Sequence, residues 1–305
     1  MANRPISAGA ESFTLWKAET AFGTAVTADT HFGLDTAINP SLNNNLTGRR
    51  GFKGSATGGR DILAYTAGKS EGSFSVDFDM CDHTFFTHAL GTLAAETYSG
   101  IDLPLSFTTT TNFDNVTTDR CTVYAGCVID QATIKGAEGE PVTCSLNCKY
   151  AKSDFTGTLL SNTALTGDAP YTFTEATFEL PNATTITNIV NGFELTISNN
   201  FTFHYGANRV AQYYTAGERA YSLKLDTKYV ADLLLTAALG GTGIAADTPT
   251  VSATMEIVLT RPDNDTITFL FGLSPIQTYN LAAQLNNPIS ESVEIIPATL
   301  TVTYS

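Results

Sequence analysis

Few side chains in this chain stand where bond-making chemistry would need them. The histidines are His31, His83, His88 and His204. His83 and His88 lie five residues apart in a stretch with helical spacing, which turns them to different faces and argues against a two-histidine zinc site. Asp77 and Asp79 share one face of a strand-like run and mimic a carboxylate pair. The corresponding residues of a related stretch further on are Asp226 and Lys228, so no shared acid–base mechanism survives, and a solvated face is the simpler reading. Asp263-Asn264-Asp265 begins like a calcium loop but lacks the downstream Gly and Glu, and reads as a hairpin turn. No His-Glu-x-x-His, phosphate-cradling Gly-Lys-Ser/Thr loop or Gly-x-Ser-x-Gly elbow occurs. The cysteines are Cys81, Cys121, Cys127, Cys144 and Cys148. An odd count without a secretion signal points to reduced thiols. Cys144 and Cys148 point the same way along a strand but sit about 13 Å apart, too far to share a metal. Buried packing is the main expectation for these thiols, with a Cys121–Cys148 cross-strand pair as the alternative. The expectation is a protein that is not an enzyme, with no catalytic residues, no cofactor and no metal.

The stretches that hold these residues occur twice. Arg60 to Gly91 aligns without a gap to Arg209 to Gly240, sharing the Tyr-Thr-Ala-Gly block (Tyr65–Gly68, Tyr214–Gly217) and the Ala-Leu-Gly ending. Self-similarity of this kind takes precedence over any local reading. In the first copy Phe74, Val76 and Phe78 alternate with Ser75, Asp77 and Asp79; in the second Tyr221, Leu223 and Leu225 alternate with Ser222, Lys224 and Asp226. Both are half-buried strands. The period then changes. Cys81, Phe85, Phe86, Ala89 and Leu90 fall on one helical face, as do Val230, Leu234, Leu235, Ala238 and Leu239. Asp79 and Thr227 are the expected N-caps, and Gly91 and Gly240 the expected left-handed stops.

Composition bounds the rest. Charged residues are 15% of the chain and the net charge is −14, a poor basis for gripping phosphate, which needs Lys and Arg. The N-terminal Met-Ala-Asn-Arg-Pro-Ile-Ser leads into no apolar core, so no secretion signal is expected. No run approaches the roughly 20 apolar residues of a membrane span. In chain order, Phe32 to Ile38 reads as a strand ending at Asn39-Pro40, and 41–59 as a long loop or irregular hairpin carrying Arg49, Arg50 and Lys53, with Arg60 next. A basic loop on an acidic protein suits an acidic surface, including one on another copy. Leu105 to Thr110 is a strand, Arg120 to Lys135 reads as two strands meeting near Gly126, and Val142 to Tyr150 closes the half. Tyr171 to Leu180, Phe193 to Phe203, Val251 to Leu259, Ile267 to Tyr279 with a turn at Gly272, and Val293 to Tyr304 replay the order. The expected division is a first domain over 1–154, with an arm and the basic loop, a linker over 155–170 and a second domain over 171–305.

The duplicated strand-plus-short-helix unit, the Phe-Gly-Thr turn (Phe22–Thr24), the Arg-bearing loop and the Gly-Cys-Val-Ile…Gly-Glu-Pro-Val run (Gly126–Val142) resemble the tail tube, or major tail, proteins of long-tailed bacterial and archaeal viruses. The resemblance covers most of the chain. It implies a mainly β fold of two tandem β-sandwich domains, each with one short flanking α-helix, that form a large β-barrel on ring assembly. It implies a structural virion protein whose stacked trimeric, pseudo-sixfold rings make the tail tube, the conduit for genome delivery. It implies partners: other copies of the chain, tape measure, tip and terminator proteins, and double-stranded DNA passing an anionic lumen without specific binding, with no membrane. The protein would be made in the host cytoplasm. In the family a long loop between early strands reaches a neighbouring subunit or ring, which implies inter-subunit or inter-ring contacts for Arg49, Arg50, Lys53 and Arg60. The second half lacks that loop. Two alternatives stay open: the tube of a contractile injection or secretion system, and a two-domain carbohydrate-binding or adhesive β-sandwich, suggested by Thr/Asn richness and aromatics such as Tyr213 and Tyr214.

Overall fold

Alternating apolar and polar side chains over short runs can bury only one face, and this chain answers with antiparallel sheets. The computed structural model describes residues 12–49, 64–91, 93–100, 103–113, 119–161, 169–180, 184–240, 243–244, 255–283, 285 and 288–305. The first half runs β1 (Ser12–Ala18), β2 (Thr30–His31), β3 (Leu34–Asn43), a hairpin of β4 (Leu46–Arg49) and β5 (Ala64–Ala67), then β6 (Glu71–Asp79). Helix α1 (Phe86–Ala89), β7 (Leu93–Ala94), β8 (Thr97–Ser99), β9 (Phe107–Phe113), the long β10 (Arg120–Ala137), β11 (Thr143–Tyr150) and β12 (Lys152–Thr156) follow. The second half has β13 (Thr177–Leu180), β14 (Thr184–Thr185), β15 (Val190–Ser198), a hairpin of β16 (Thr202–His204) and β17 (Tyr213–Thr215), and β18 (Ala220–Lys228). It ends with helix α2 (Leu233–Leu239), β19 (Met255–Thr260), β20 (Thr266–Gly272), β21 (Ile276–Ala282), β22 (Ser290–Ile295) and β23 (Thr299–Tyr304).

The main sheet has the order β3-β6-β11-β10-β15-β18-β22-β21, antiparallel throughout. Its two ends are alike. Val76 opposite Leu146 in the first half becomes Leu225 opposite Val293 in the second, and Phe74 opposite Cys148 becomes Leu223 opposite Ile295. The bulge between Ile129 and Gln131, where β10 meets β11, returns between Ile276 and Thr278, where β21 meets β22. Ile38 opposite Val76 becomes Phe193 opposite Leu225. A second sheet runs β2-β1-β9-β10-β12, and a third β14-β13-β19-β20-β23-β8-β7. The β10–β12 pairing of Thr122 with Phe155 likewise returns as Phe269 with Val302.

The two strands expected over Arg120 to Lys135 are one. β10 passes unbroken from the second sheet into the main sheet, bending at Gly126, whose φ is +67°. A Cβ at Gly126 would stand 2.8 Å from Ala151 Cβ, so glycine is required there on both counts. The bend is held by Glu19, a carboxylate only 7% exposed that accepts hydrogen bonds from Gly126 N–H (2.8 Å), Ser106 Oγ (2.8 Å), Thr108 Oγ1 (2.9 Å) and Gly23 N–H (3.0 Å).

Other local expectations are corrected. Asp79 and Thr227 are strand residues rather than N-caps; the helices start at Phe86 and Leu233, with caps at Phe85 and Asp232 that make no side-chain cap bond. Met80 prolongs the ladder after Asp79, its N–H donating to Val142 and its carbonyl accepting from Tyr171, and Asp82 takes the N–H groups of His83 and Thr84. Gly240 is the left-handed stop of α2 at φ +75°. Gly91 lies one residue beyond the α1 cap, Leu90, at φ +137°. β3 does not end at Pro40 but continues to Asn43, which proline tolerates because β3 is an edge strand. The stretch from Tyr171 opens with a 3₁₀ turn (Phe173–Glu175) before β13, and Val293 to Tyr304 divides into β22 and β23 around Pro297.

One hydrophobic core joins both halves, from Trp16 to Val302. Phe86 of α1 meets Phe269 of β20 edge-on, with ring centroids 5.8 Å apart. All five cysteines are buried, as the packing expectation has it.

Candidate assembly surfaces

The residues considered for chemistry are placed in structural roles. His88 is 2% exposed, its Nδ1 2.8 Å from the Leu105 carbonyl, and burial lowers its pKa to about 4. His83 sits 2.9 Å from Tyr98 Oη and stacks on Tyr304; burial lowers its pKa as well. His204 stacks on Tyr213. Asp77 and Asp79 lie at successive outward positions of β6, and burial raises the Asp79 carboxyl, with Asp35 adding to it. Asp263 and Asp265 hold Arg261, whose Nη1 donates to the Cys81 carbonyl at 2.7 Å. Burial drives the Cys127, Cys144 and Cys148 thiols well above their usual range, so they are inert packing groups. Among the described residues no cluster of three or more His, Cys, Asp or Glu has metal-binding geometry, and no helix is long and apolar enough to cross a membrane. Of the two tyrosines considered for sugar stacking, Tyr213 is exposed with its ring on His204, and Tyr214 is half-buried. Tyr214 packs on Phe22 and Phe201 and donates its hydroxyl to the Pro104 carbonyl at 2.7 Å.

What the fold does present is a polar sheet face, two sheet edges and a half-covered helix. On the polar face of the main sheet one cross-strand row reads Lys135, Glu194, Lys224, Glu294. Lys135 Nζ stands 2.9 Å from Glu194, and Lys224 Nζ stands 4.0 Å from its other oxygen. Lys149 pairs with Asp130 at 3.0 Å and Lys228 with Glu138 at 3.7 Å. These four lysines each have a carboxylate within reach, so the face alternates in sign rather than presenting cations. Such exposed pairs are worth about 0–1 kcal/mol each in stability.

The sheet edges are β3 and β21. Each pairs with a strand on one side only among the described residues. An unpaired, apolar edge is a template for another chain. Leu42 on β3 is 50% exposed and Leu281 on β21 is 51% exposed. Inside the sheet, where β10 meets β15, the residues at the corresponding positions, Ile197 and Ile134, are both 0% exposed. The helices differ in the same way. On α1 and its approach Cys81, Phe86, Ala89 and Leu90 are all buried, whereas Val230 is 69% exposed and Leu233 37%. Leu235, Ala238 and Leu239 are half-buried. β12 is exposed at every residue, with Phe155 at 76%, although its counterpart Val302 on β23 is covered by β8.

Of the loop cations, Arg49 lies on β4 and donates from Nε to Thr66 Oγ1 at 3.2 Å. Arg50, Lys53 and Arg60 lie outside the described residues. Of the stretch 41–59, residues 41–43 are the end of β3 and 46–49 are β4, which pairs with β5 beyond the stretch; 50–59 lie outside the described residues. Sequence reasoning missed the edges β3 and β21. The ungapped repeat alignment could not show them, because a two-residue gap separates it from the strand pairing that matches Tyr279 and Leu281 with Ala132 and Ile134 of the internal seam.

A family model described as phage tail tube protein matches residues 9–303 of this chain. No curated protein is matched.

Proposed function

Since this chain belongs to the phage tail tube protein family, and is thereby a structural component of the virion tail, we propose that three copies close into a ring and that rings stack into the tube through which the genome leaves. Each half of the chain is then one tube domain, the first over 1–154 and the second over 171–305. The observation that carries this reading is the main sheet: the same four-strand unit occurs twice in one register and, among the described residues, leaves an open edge at each end. Joining such sheets edge to edge removes the edges by closure, as barrels do. Three chains supply six units.

The polar face of the main sheet is the lumen wall in this arrangement. Its lysines are engaged by Glu194, Asp130 and Glu138, so phosphates find few uncommitted cations and DNA slides without sticking. This replaces a simply anionic lumen with a sign-alternating one. The basic loop, with Arg49, Arg50, Lys53 and Arg60, serves contacts between rings. Tape measure, tip and terminator proteins meet the same tube at its interior and ends.

Electron microscopy of purified protein or particles tests the proposal. Rings with a central channel, threefold symmetry and six similar densities are expected. A monodisperse monomer that never polymerises at high concentration overturns it.

A further inference from the structure

We propose that the seam between copies is β21 of one chain paired antiparallel with β3 of the next, Tyr279 opposite Leu42, Asn280 opposite Ser41 and Leu281 opposite Pro40. This rests on the ring reading above and names the contact that the ring uses.

The register follows from a seam the chain already contains. Where β10 meets β15, Ala132 lies opposite Ile197, Thr133 opposite Thr196 and Ile134 opposite Leu195. β21 meets β22 as the second half of β10 meets β11, bulge included, which equates Tyr279, Asn280 and Leu281 with Ala132, Thr133 and Ile134. β3 meets β6 as β15 meets β18, which equates Pro40, Ser41 and Leu42 with Leu195, Thr196 and Ile197. Copying the internal seam outward fixes every pair; Pro40, which has no N–H, donates no ladder bond where Leu195 can, so the Leu281–Pro40 position is the weakest of the three.

Side chains support the same pairing. Within the chain, Asn199 is 1% exposed and its amide donates to the carbonyls of Ala89 and Ile129, both at 2.9 Å. The Asn preceding the left-handed Asn200 on that side is thus the bolt of the seam. Its counterpart is Asn44, preceding the left-handed Asn45, and it is exposed. Across the proposed seam Asn44 meets the carbonyls of Ala238 and Ile276, which correspond to Ala89 and Ile129. The half-bare face of α2 lies on the same side, where Val230 is exposed and its counterpart Cys81 is covered within the chain. Leu42 and Leu281, half exposed in the single chain, become core residues as Ile197 and Ile134 are. The contact is head-to-tail, so it suits a closed ring and excludes a two-fold dimer through the same pair of edges.

A paired-cysteine variant, Ser41→Cys with Asn280→Cys, tests the register. Opposed antiparallel residues have Cα atoms about 4.5–5.5 Å apart, within disulfide range. The native thiols are buried and do not compete. Oxidised assemblies should run as covalent dimers and trimers on non-reducing gels, with either single variant remaining monomeric. Cross-linking instead by Asn39→Cys with Asn280→Cys overturns the register while leaving the ring intact. Rings visible by microscopy with neither pair cross-linking overturn this seam but not the ring. Absence of rings in the wild type overturns the ring itself. Hydrogen exchange on the wild type reads the seam without substitution. The amides of 39, 41–43 and 278–282 that point away from β6 and β22 should gain at least tenfold protection on assembly, and unchanged exchange there in formed rings overturns the pairing.

Discussion

The carboxylate of Glu19 receives the backbone N–H of Gly126 at 2.8 Å, linking the loop after β1 to the bend of β10. Two hydroxyls and a second N–H share the same buried carboxylate. Removing it in Glu19→Ala leaves those donors without a partner, each costing about 1–3 kcal/mol. Some of them will rehydrate, so we expect a net loss of about 3 kcal/mol, measured by urea denaturation of unassembled protein. A change under about 0.5 kcal/mol contradicts the role.

Gly68 and Gly217 should prove equally intolerant. A Cβ on Gly68 would lie 2.8 Å from the Asn45 carbonyl oxygen, and one on Gly217 would lie 2.8 Å from the Asn200 carbonyl oxygen. Each glycine donates its N–H to that same oxygen, at 3.1 Å in both cases. Gly68→Ala and Gly217→Ala should each lower stability by about 1–3 kcal/mol, and by similar amounts. A large disparity in their melting temperatures argues that the two turns are not equivalent.

Burial holds His88 neutral, with a pKa of about 4 against an ordinary 6.5. The folded chain therefore binds fewer protons than the unfolded chain between those values, and stability falls as pH drops from about 6.5 toward 4. Above 6.5 His88 contributes no pH dependence. The two values correspond to about 3 kcal/mol lost across the window. His88→Gln should flatten the stability profile there relative to the wild type; parallel profiles contradict the assignment.

Glu194 engages Lys135 and Lys224 together. Glu194→Gln should free both cations while changing stability by less than about 1 kcal/mol. Assembled variant tubes should retain double-stranded DNA at low salt more than wild-type tubes do, with retention lost as salt rises. Equal retention removes this face from the lumen wall.

Reversing the loop charge, Arg49→Glu with Arg50→Glu and Lys53→Glu, should leave single rings and block stacking. Tubes of normal length by microscopy refute the inter-ring role of the loop.

Much of this fold was readable in advance because side-chain period reports the buried face. Phe74, Val76 and Phe78, and their counterparts on β18, are where alternation puts them. Gly240 ends α2 because a left-handed residue is needed there. The reading failed where the answer depends on strand order. Pro40 looked like a terminator, and becomes admissible once β3 is known to be an edge. Asp79 and Thr227 looked like caps because the chain's passage across Val142 and Ile289 before each helix is set by distant partners. The apolar patterns of α1 and α2 are nearly the same, yet one helix is covered and the other half bare. No local pattern carries that difference, since it arises from which half has a neighbour within the chain.

β10 has a mechanical consequence. Eighteen residues of unbroken strand span about 60 Å at ~3.3 Å per residue before allowing for the bend. One end is stitched into the second sheet and the other into the main sheet, with the elbow clamped by Glu19. Such a strand is a crank. A movement of the second sheet relative to the main sheet has to pass through Gly126 and the Glu19 carboxylate that holds it. In a tube built as proposed, every copy of the chain would carry one such continuous link between its two sheets.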